Sequence, residues 1–355
     1  MSKQADKPMV SQNTKTEMVT LQRYLGLQPL LAGTGKEVDK ANKRDVVFVS
    51  IDLEAFEFAQ NKITEIGVSV LDTRDIVDTD PGVDAISWLS RIKTRHFRIS
   101  EYARLVNKRF IKGCPDKFNF GESEFISIQQ THNVLTQIFA NPAGAHSSGT
   151  VEPRNIVLVG HGLSNDTAYL KSVNFSPYAG GNVVHSLDTQ KLSAATKKSQ
   201  VGLEKLIRGL GVTPVNLHNA GNDAAYTLQS LVLMGVKHAE QAGSYFEAIQ
   251  KVVVPENEQQ KRKREARARR KAKLAEEAAA KAAEEGVSPA MMDAGGSTVN
   301  LAGRAKDWPP LGQQPLPASA PIRRVSGVAR EPTHQPVQGG QRAWKRMDPA
   351  AYRTP

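Results

Sequence analysis

"VVFVSIDLE", residues 46–54, is a run of valine, isoleucine and phenylalanine that ends in two carboxylates. Such a run reads as a strand buried on both faces, because β-branched and aromatic side chains suit a pleated, covered surface. Asp52 and Glu54 are two residues apart, so on a strand their side chains point to the same face. Paired carboxylates at the end of a buried strand are costly unless something cationic neutralises them. Taken alone, the pair is equally well explained as a polar strand end in solvent.

Working outward, "TEIGVSVLDT" (64–73) predicts a second strand and "RHFRI" (95–99) a third. Residues 123–139 have helical spacing. "NIVLVGH" (155–161) predicts another strand, with a helix over 164–173, and "NVVHSLD" (182–188) a short strand with helices over 202–210 and 220–236. Strands first, then strand–helix alternation, indicate an α/β sheet covered by helices.

Two further stretches carry acids where a sheet protein has no need of them. "GHGLSNDTAYL" (160–170) brings Asp166 from a strand end into a helix. "LHNAGNDAAYTLQSL" (217–231) opens a helix with His218 and Asp223, behind which Ala224, Ala225, Leu228 and Leu231 form an apolar stripe. Singly, each has a plain account. The helix dipole favours Asp166 and Asp223 in a first turn, Asn219 or Asn222 caps the helix, Gly221 makes the turn into it, and His218 is structural. Together, four carboxylates from separate segments can converge on divalent cations, and hard oxygen ligands favour Mg²⁺ or Mn²⁺. Two such ions clamp the attacking and leaving oxygens of a phosphodiester, and a neutral histidine close by takes the proton of the attacking water. The order D-x-E, then D, then H-x(4)-D fits that chemistry.

The chain has 355 residues, 39% of them hydrophobic, which is low for a chain folded throughout. A single cysteine, Cys114, excludes an intrachain disulfide and any Cys-rich zinc module. The opening residues lack the apolar stretch of a secretory signal, and no segment approaches the length of a membrane span. The expectation is a protein without membrane association, nuclear or cytoplasmic. "AGTGK" (32–36) lacks the first glycine and the Ser/Thr of a phosphate loop and is rejected as one.

The formal net charge of +11 is unevenly placed. Residues 43–254 carry 22 Lys+Arg against 21 Asp+Glu, whereas "KRKREARARRKAK" (261–273) carries nine basic residues against one acidic. A polycation of this kind attracts nucleic acid or another polyanion. Lys261, Arg262, Lys263 and Arg264 are its first candidate contacts, although a solvated helix face and a nuclear localisation signal explain the run as well. Within the globular part, 88–112 holds eight basic residues against Glu101 alone, with Arg91, Lys93 and Arg95 as candidates for guiding a phosphate backbone. The expected organisation is a flexible arm over 1–42 with one docking turn, an α/β domain over 43–253, a charged helix over 254–285 and a disordered Pro/Gly-rich tail over 286–355.

"FVSIDLE", "LVGHGLSND" and "HNAGND" resemble the three motifs of the DEDDh class of 3′-to-5′ exonucleases, the DnaQ-like branch of the RNase H fold. The resemblance covers 46–236. "SRIKTRHFRISEY" and "DKFNFGESE" resemble a fungal subgroup, the good-for-full-type proteins linked to mRNA export. It implies an RNase H-like three-layer fold with a central mixed sheet flanked by helices. It also implies a metal-dependent exonuclease of RNA or single-stranded DNA, with Asp52, Glu54, Asp166 and Asp223 as metal ligands and His218 as general base. His161, five residues before Asp166, shapes the turn. Ala55 stands where the class often has Thr, Asn165 where it has an aromatic residue, and Gly162 where it has Asn. The rival reading is a non-catalytic nucleic-acid-binding adaptor in mRNA export.

Overall fold

The structure, a computed structural model, describes residues 12–27, 45–140, 142, 154–194, 199–255 and 258–284. Its elements in chain order are α1 (Gln12–Leu25), β1 (Val46–Phe56), β2 (Ala59–Asp72), α2 (Ile86–Leu89), β3 (Lys93–Ile99), β4 (Ser123–Ile126) and α3 (Ile128–Ala140). There follow β5 (Asn155–Gly160), α4 (Leu163–Ser172), β6 (Val183–Asp188), α5 (Thr189–Leu192), α6 (Leu203–Gly209), α7 (Ala220–Glu240), α8 (Ser244–Lys251) and α9 (Glu258–Glu284).

Six strands form one mixed sheet in the order β4-β3-β2-β1-β5-β6. β1 is its centre, antiparallel to β2 and parallel to β5. The apolar residues of β1 alternate between two cores. Val46 and Phe48 pack with α1, α6, α7 and α8, whereas Val47, Val49, Ile51 and Leu53 pack with α3 and α4. Helices on both faces of the sheet make the three-layer RNase H-like fold, and they are why β1 is an unbroken apolar run.

α7 is not the one-faced helix that its stripe suggests. Every residue from Ala220 to Val236 is buried, because the sheet lies on one side and α1, α6 and α8 on the others. Glycine makes the seating possible. A Cβ on Gly67 of β2 would lie 1.8 Å from the carbonyl oxygen of Ala220, and one on Gly221 would lie 2.7 Å from the His96 and Phe118 side chains. The start of α7 therefore rests directly on the strand.

Two expectations are corrected. Residues 12–25, expected within a flexible arm, form a helix whose Met18, Leu21 and Leu25 are buried, with Leu25 against Gly235 of α7. The rest of that arm, 1–11 and 28–42, lies outside the described residues, as does the tail over 286–355. The helix expected over 123–139 begins only at Ile128. Residues 123–126 instead pair in parallel with β3, and a segment of four residues is too short for periodicity to separate strand from helix.

α9 belongs to a second compact unit. It is a 27-residue helix without an apolar stripe, carrying an i,i+4 pair between Lys273 and Glu277 at 3.8 Å.

Gly67→Ala is expected to destabilise the domain by about 1–3 kcal/mol, the usual cost of overpacking a core. Urea unfolding reads this directly, and an unchanged midpoint would mean that α7 does not sit on the strand.

Candidate metal centre

Asp52 and Glu54 leave β1 on the face covered by α7, where Asp52 stands opposite Gly67 and Glu54 opposite Glu65. Directly after Glu54 the β1–β2 register slips, a bulge of the kind that re-aims side chains beside functional sites. Asp166 arrives from the first turn of α4, and its Oδ1 accepts a hydrogen bond from the Leu53 amide at 3.2 Å, between the two β1 acids. Asp223 arrives from the first turn of α7. One ligand atom each from Glu54, His218 and Asp223 lie within 4.8 Å of one another. The structure thus brings the predicted acids and histidine of three segments to one end of β1.

The turn before α7 answers for its unusual composition. Asn219 caps the helix, accepting from the Asn222 amide at 3.1 Å. Asn222 ties the turn to a neighbouring loop, accepting from the Asn119 amide and donating to the carbonyls of Lys117 and Asn216. His218 has φ of 66°, a left-handed conformation held from both sides. Its amide donates to Asp223 Oδ2 at 3.0 Å, and its carbonyl accepts from the Cys114 amide at 3.1 Å. Gly221 is not the turn but the first-turn contact with His96 and Phe118. At the α4 entry, Gly162 has φ of 81° and donates its amide to Asp188. His161 bonds Thr189 Oγ1 and the Val201 carbonyl, and burial lowers its pKa to about 4, so it is a neutral structural group, as its position suggested.

Burial and crowding push Asp52, Glu54, Asp166 and Asp223 upward. Burial is the main cause at each. Asp52 is raised well above the carboxylate range, with Asp166 and Asp223 adding to the effect. Glu54 rises to about 8, with Asp223 and Glu65 contributing. Asp166 and Asp223 rise to about 7, each partly relieved by a backbone amide, from Leu53 and His218 respectively. Among the described residues, none of these four pairs with a lysine or arginine. Asp223 Oδ1 is buried without a hydrogen-bond donor. His218 is exposed, and partial desolvation holds its imidazole below the usual histidine value against the opposing charge of Glu204.

Three residues at the site escaped the sequence reading. Glu65 is buried beside the acids, accepting from the Ala220 amide at 3.3 Å and bonded to His96 Nε2 at 3.0 Å. His96, with no exposure, also bonds Ser123 Oγ. Tyr169 lies one turn beyond Asp166, close enough for Glu54 and Asp166 to raise its pKa after burial. The i,i+3 spacing from Asp166 is the signal that could have found it. Glu65 and His96 become neighbours only through strand register.

The candidate cations are elsewhere. Lys93 pairs with Asp75, and Arg95 makes a bidentate pair with Glu124 while covering Phe97. Their partners across the ladder, Val70 and Val68, belong to the core on the opposite face from Asp52 and Glu54. Arg91 lies in the turn before β3. Lys261, Arg262, Lys263 and Arg264 lie in the first half of α9, in the other unit.

The family model for the C-terminal domain of DNA polymerase III subunit epsilon-like DEDDh proteins matches residues 47–234, just over half of the chain. An uncharacterized nucleolar protein of Schizosaccharomyces pombe is 30% identical over 193 residues, covering 52% of this chain and 67% of that protein. In Saccharomyces cerevisiae, an uncharacterized protein is 28% identical over 219 residues, and Good for full DBP5 activity protein 2 is 30% identical over 208. These alignments cover 56% and 53% of this chain but only 43% and 35% of the two yeast proteins. The matched segment carries the strand, the turn and the helix that deliver the clustered residues, and the chain belongs to the DEDDh exonuclease-like family.

Proposed function

We propose that the chain is a metal-dependent 3′-to-5′ exonuclease that hydrolyses RNA or single-stranded DNA. The observation that carries this reading is the meeting of Glu54, His218 and Asp223 within 4.8 Å, with Asp223 Oδ1 buried and unpartnered. A buried oxygen that lacks a donor, beside acids raised by burial and then by mutual repulsion, belongs to a donor set suited to divalent cations, which the family normally uses. Asp52, Glu54, Asp166 and Asp223 would hold two Mg²⁺ or Mn²⁺ ions. When bound, these ions supply charge neutralisation at the attacking and leaving oxygens.

The chain's own residues do the rest. The Leu53 and His218 amides fix the carboxylates of Asp166 and Asp223, so no reorganisation is needed when charge develops. The exposed His218 imidazole, neutral near pH 7, accepts the proton of the attacking water. The bulge after Glu54 and the seating of α7 on Gly67 keep these groups in register. Nucleic acid is the partner, with the basic run from Lys261 to Arg264 adding affinity. The nucleolar designation of the S. pombe relative supports work in the nucleus, and the good-for-full resemblance supports a place in mRNA export.

Metal binding and folding are linked through the raised acids. Values near 7–8 in the folded chain, against ordinary values of 3.8–4.5, mean that the metal-free fold binds more protons than the unfolded chain across that window. The stability these protons give is fully present below the ordinary carboxylate values and lost progressively as pH rises to 7–8. Asp223→Asn is therefore expected to raise the unfolding temperature of metal-free protein at pH 8 by roughly 2–6 °C, with a smaller effect at pH 5. Mg²⁺ or Mn²⁺ should stabilise the parent at pH 8 and the variant much less. A parent midpoint that ignores both pH and metal would remove the site.

Activity is tested with 5′-labelled single-stranded RNA and DNA in Mg²⁺, Mn²⁺ or EDTA. Metal-dependent release of mononucleotides from the 3′ end is expected. Asp52→Asn should abolish it, and His218→Ala should lower kcat about 10²–10⁴-fold without unfolding the domain. Protein that binds these strands and never shortens them would be the adaptor instead.

A further inference from the structure

Beyond the acids, β1 runs into a surface that the proposed chemistry leaves without a task. Phe56, Phe58 and the segment 104–109 line an open cleft of about 520 Å³. Phe58 is 59% exposed and Phe110 51%, unusual for rings so large, and they stand 6.1 Å apart. Phe56 packs against Phe58 at 5.4 Å, and the Arg109 guanidinium lies 6.0 Å from the Phe58 ring and 5.6 Å from that of Phe110. Arg104 and Lys108 are exposed in the cleft lining, with no carboxylate at ion-pair distance among the described residues.

The surface is built, not frayed. The one acid within it, Glu57, is occupied by the backbone amides of Lys108, Arg109 and Phe110 at 2.9–3.1 Å. That grip fixes the loop conformation and holds the ionised carboxylate beside the Arg109 guanidinium. Asn107 clamps the loop to β1, donating to the Ala55 carbonyl and accepting from the Glu57 amide, both at 2.8 Å. The same loop continues to Gly113, whose amide bonds the Asn107 carbonyl, and to Cys114, whose amide bonds the His218 carbonyl. One segment thus runs from the aromatic cleft to the histidine. Phe58 is four residues from Glu54, at most roughly 14 Å along an extended strand.

Exposed aromatic rings interleaved with cations are the surface that single-stranded nucleic acid fits. Every base has a face that stacks on a ring, and phosphates seek the cations without regard to sequence. We propose that this cleft grips the single strand immediately upstream of its 3′ end, with bases stacked on Phe58 and Phe110 and phosphates on Arg104 and Lys108. The assignment rests on the nuclease reading for the strand's direction, whereas binding in the cleft does not require turnover. Arg104, Lys108 and Arg109 lie within the basic stretch legible in the sequence, but the cleft selects different members of it from Arg91, Lys93 and Arg95.

The test uses the full chain. Phe58→Trp places a reporter in the cleft. In EDTA, a single-stranded 12-mer of thymidylate or uridylate is expected to quench its fluorescence beyond any change in the parent chain, and heparin to leave it unaltered. Phe58→Ala/Phe110→Ala is expected to lower kcat/KM on the 12-mer about ten- to hundredfold for each stacked base lost. Hydrolysis of a 4-nitrophenyl ester of thymidine 5′-phosphate, which has no upstream nucleotides, should be unchanged. Absence of quenching, or equal losses on both substrates, overturns the assignment. Quenching of the reporter in a chain without hydrolytic activity would sustain the cleft and remove the nuclease reading alone. An acidic peptide that quenches where the 12-mer does not would make the surface a protein-docking site and overturn the proposal.

Discussion

The domain treats the two ends of its central hairpin in opposite ways. At the end where β1 begins, the buried Asp72 is met by the equally buried Arg154 through bonds of 2.8 and 2.9 Å, and Arg154 also reaches Asp45. A carboxylate out of water is stabilised there by a matched guanidinium, the ordinary solution for a buried charge. At the far end, Asp52, Glu54, Glu65, Asp166 and Asp223 crowd together, and among the described residues only a histidine, His96, touches any of them as a possible cation. Both solutions lie on one pair of strands. The crowding therefore does not reflect a fold short of arginine, and among the described residues the acids at this end have no lysine or arginine partner.

Keeping five carboxylates close demands rigid support, and the support is mostly backbone. Gly67 lets the first turn of α7 touch β2, so the Ala220 amide bonds Glu65 and the helix start delivers Asp223. Gly221 lets the same turn close over His96. Backbone amides are aimed at carboxylates here, from Leu53 of β1 to Asp166, from His218 in the turn before α7 to Asp223, and from Ala220 at the start of α7 to Glu65. Each such bond fixes one oxygen of an acid and leaves the other available.

Much of this was legible in the sequence, because apolar runs report buried strands and the three motifs sit at their ends. Asp52, Glu54, Asp166, His218 and Asp223 lie at one end of β1. What escaped is what depends on register or on distant cover. Glu65 sits in a stretch that reads as an ordinary strand, and only cross-strand pairing sets it opposite Glu54. β4 is four residues long and takes its strand character from β3. Met18, Leu21 and Leu25 do have helical spacing, but the surrounding polar residues hid it until α7 supplied a surface to cover. Lys93 and Arg95 looked like free cations because a linear run of charge does not reveal which members have acids across the strand.

The N-terminal helix carries a consequence of another kind. The stretch shared with the family begins at residue 47, yet the core on the α7 face begins at Met18, and Leu25 fills the gap over Gly235. Homology and foldability therefore draw different borders on this molecule. A fragment cut where the kinship starts would bare a greasy groove along its central helix, and would report on the stickiness of that wound before it reported on any chemistry.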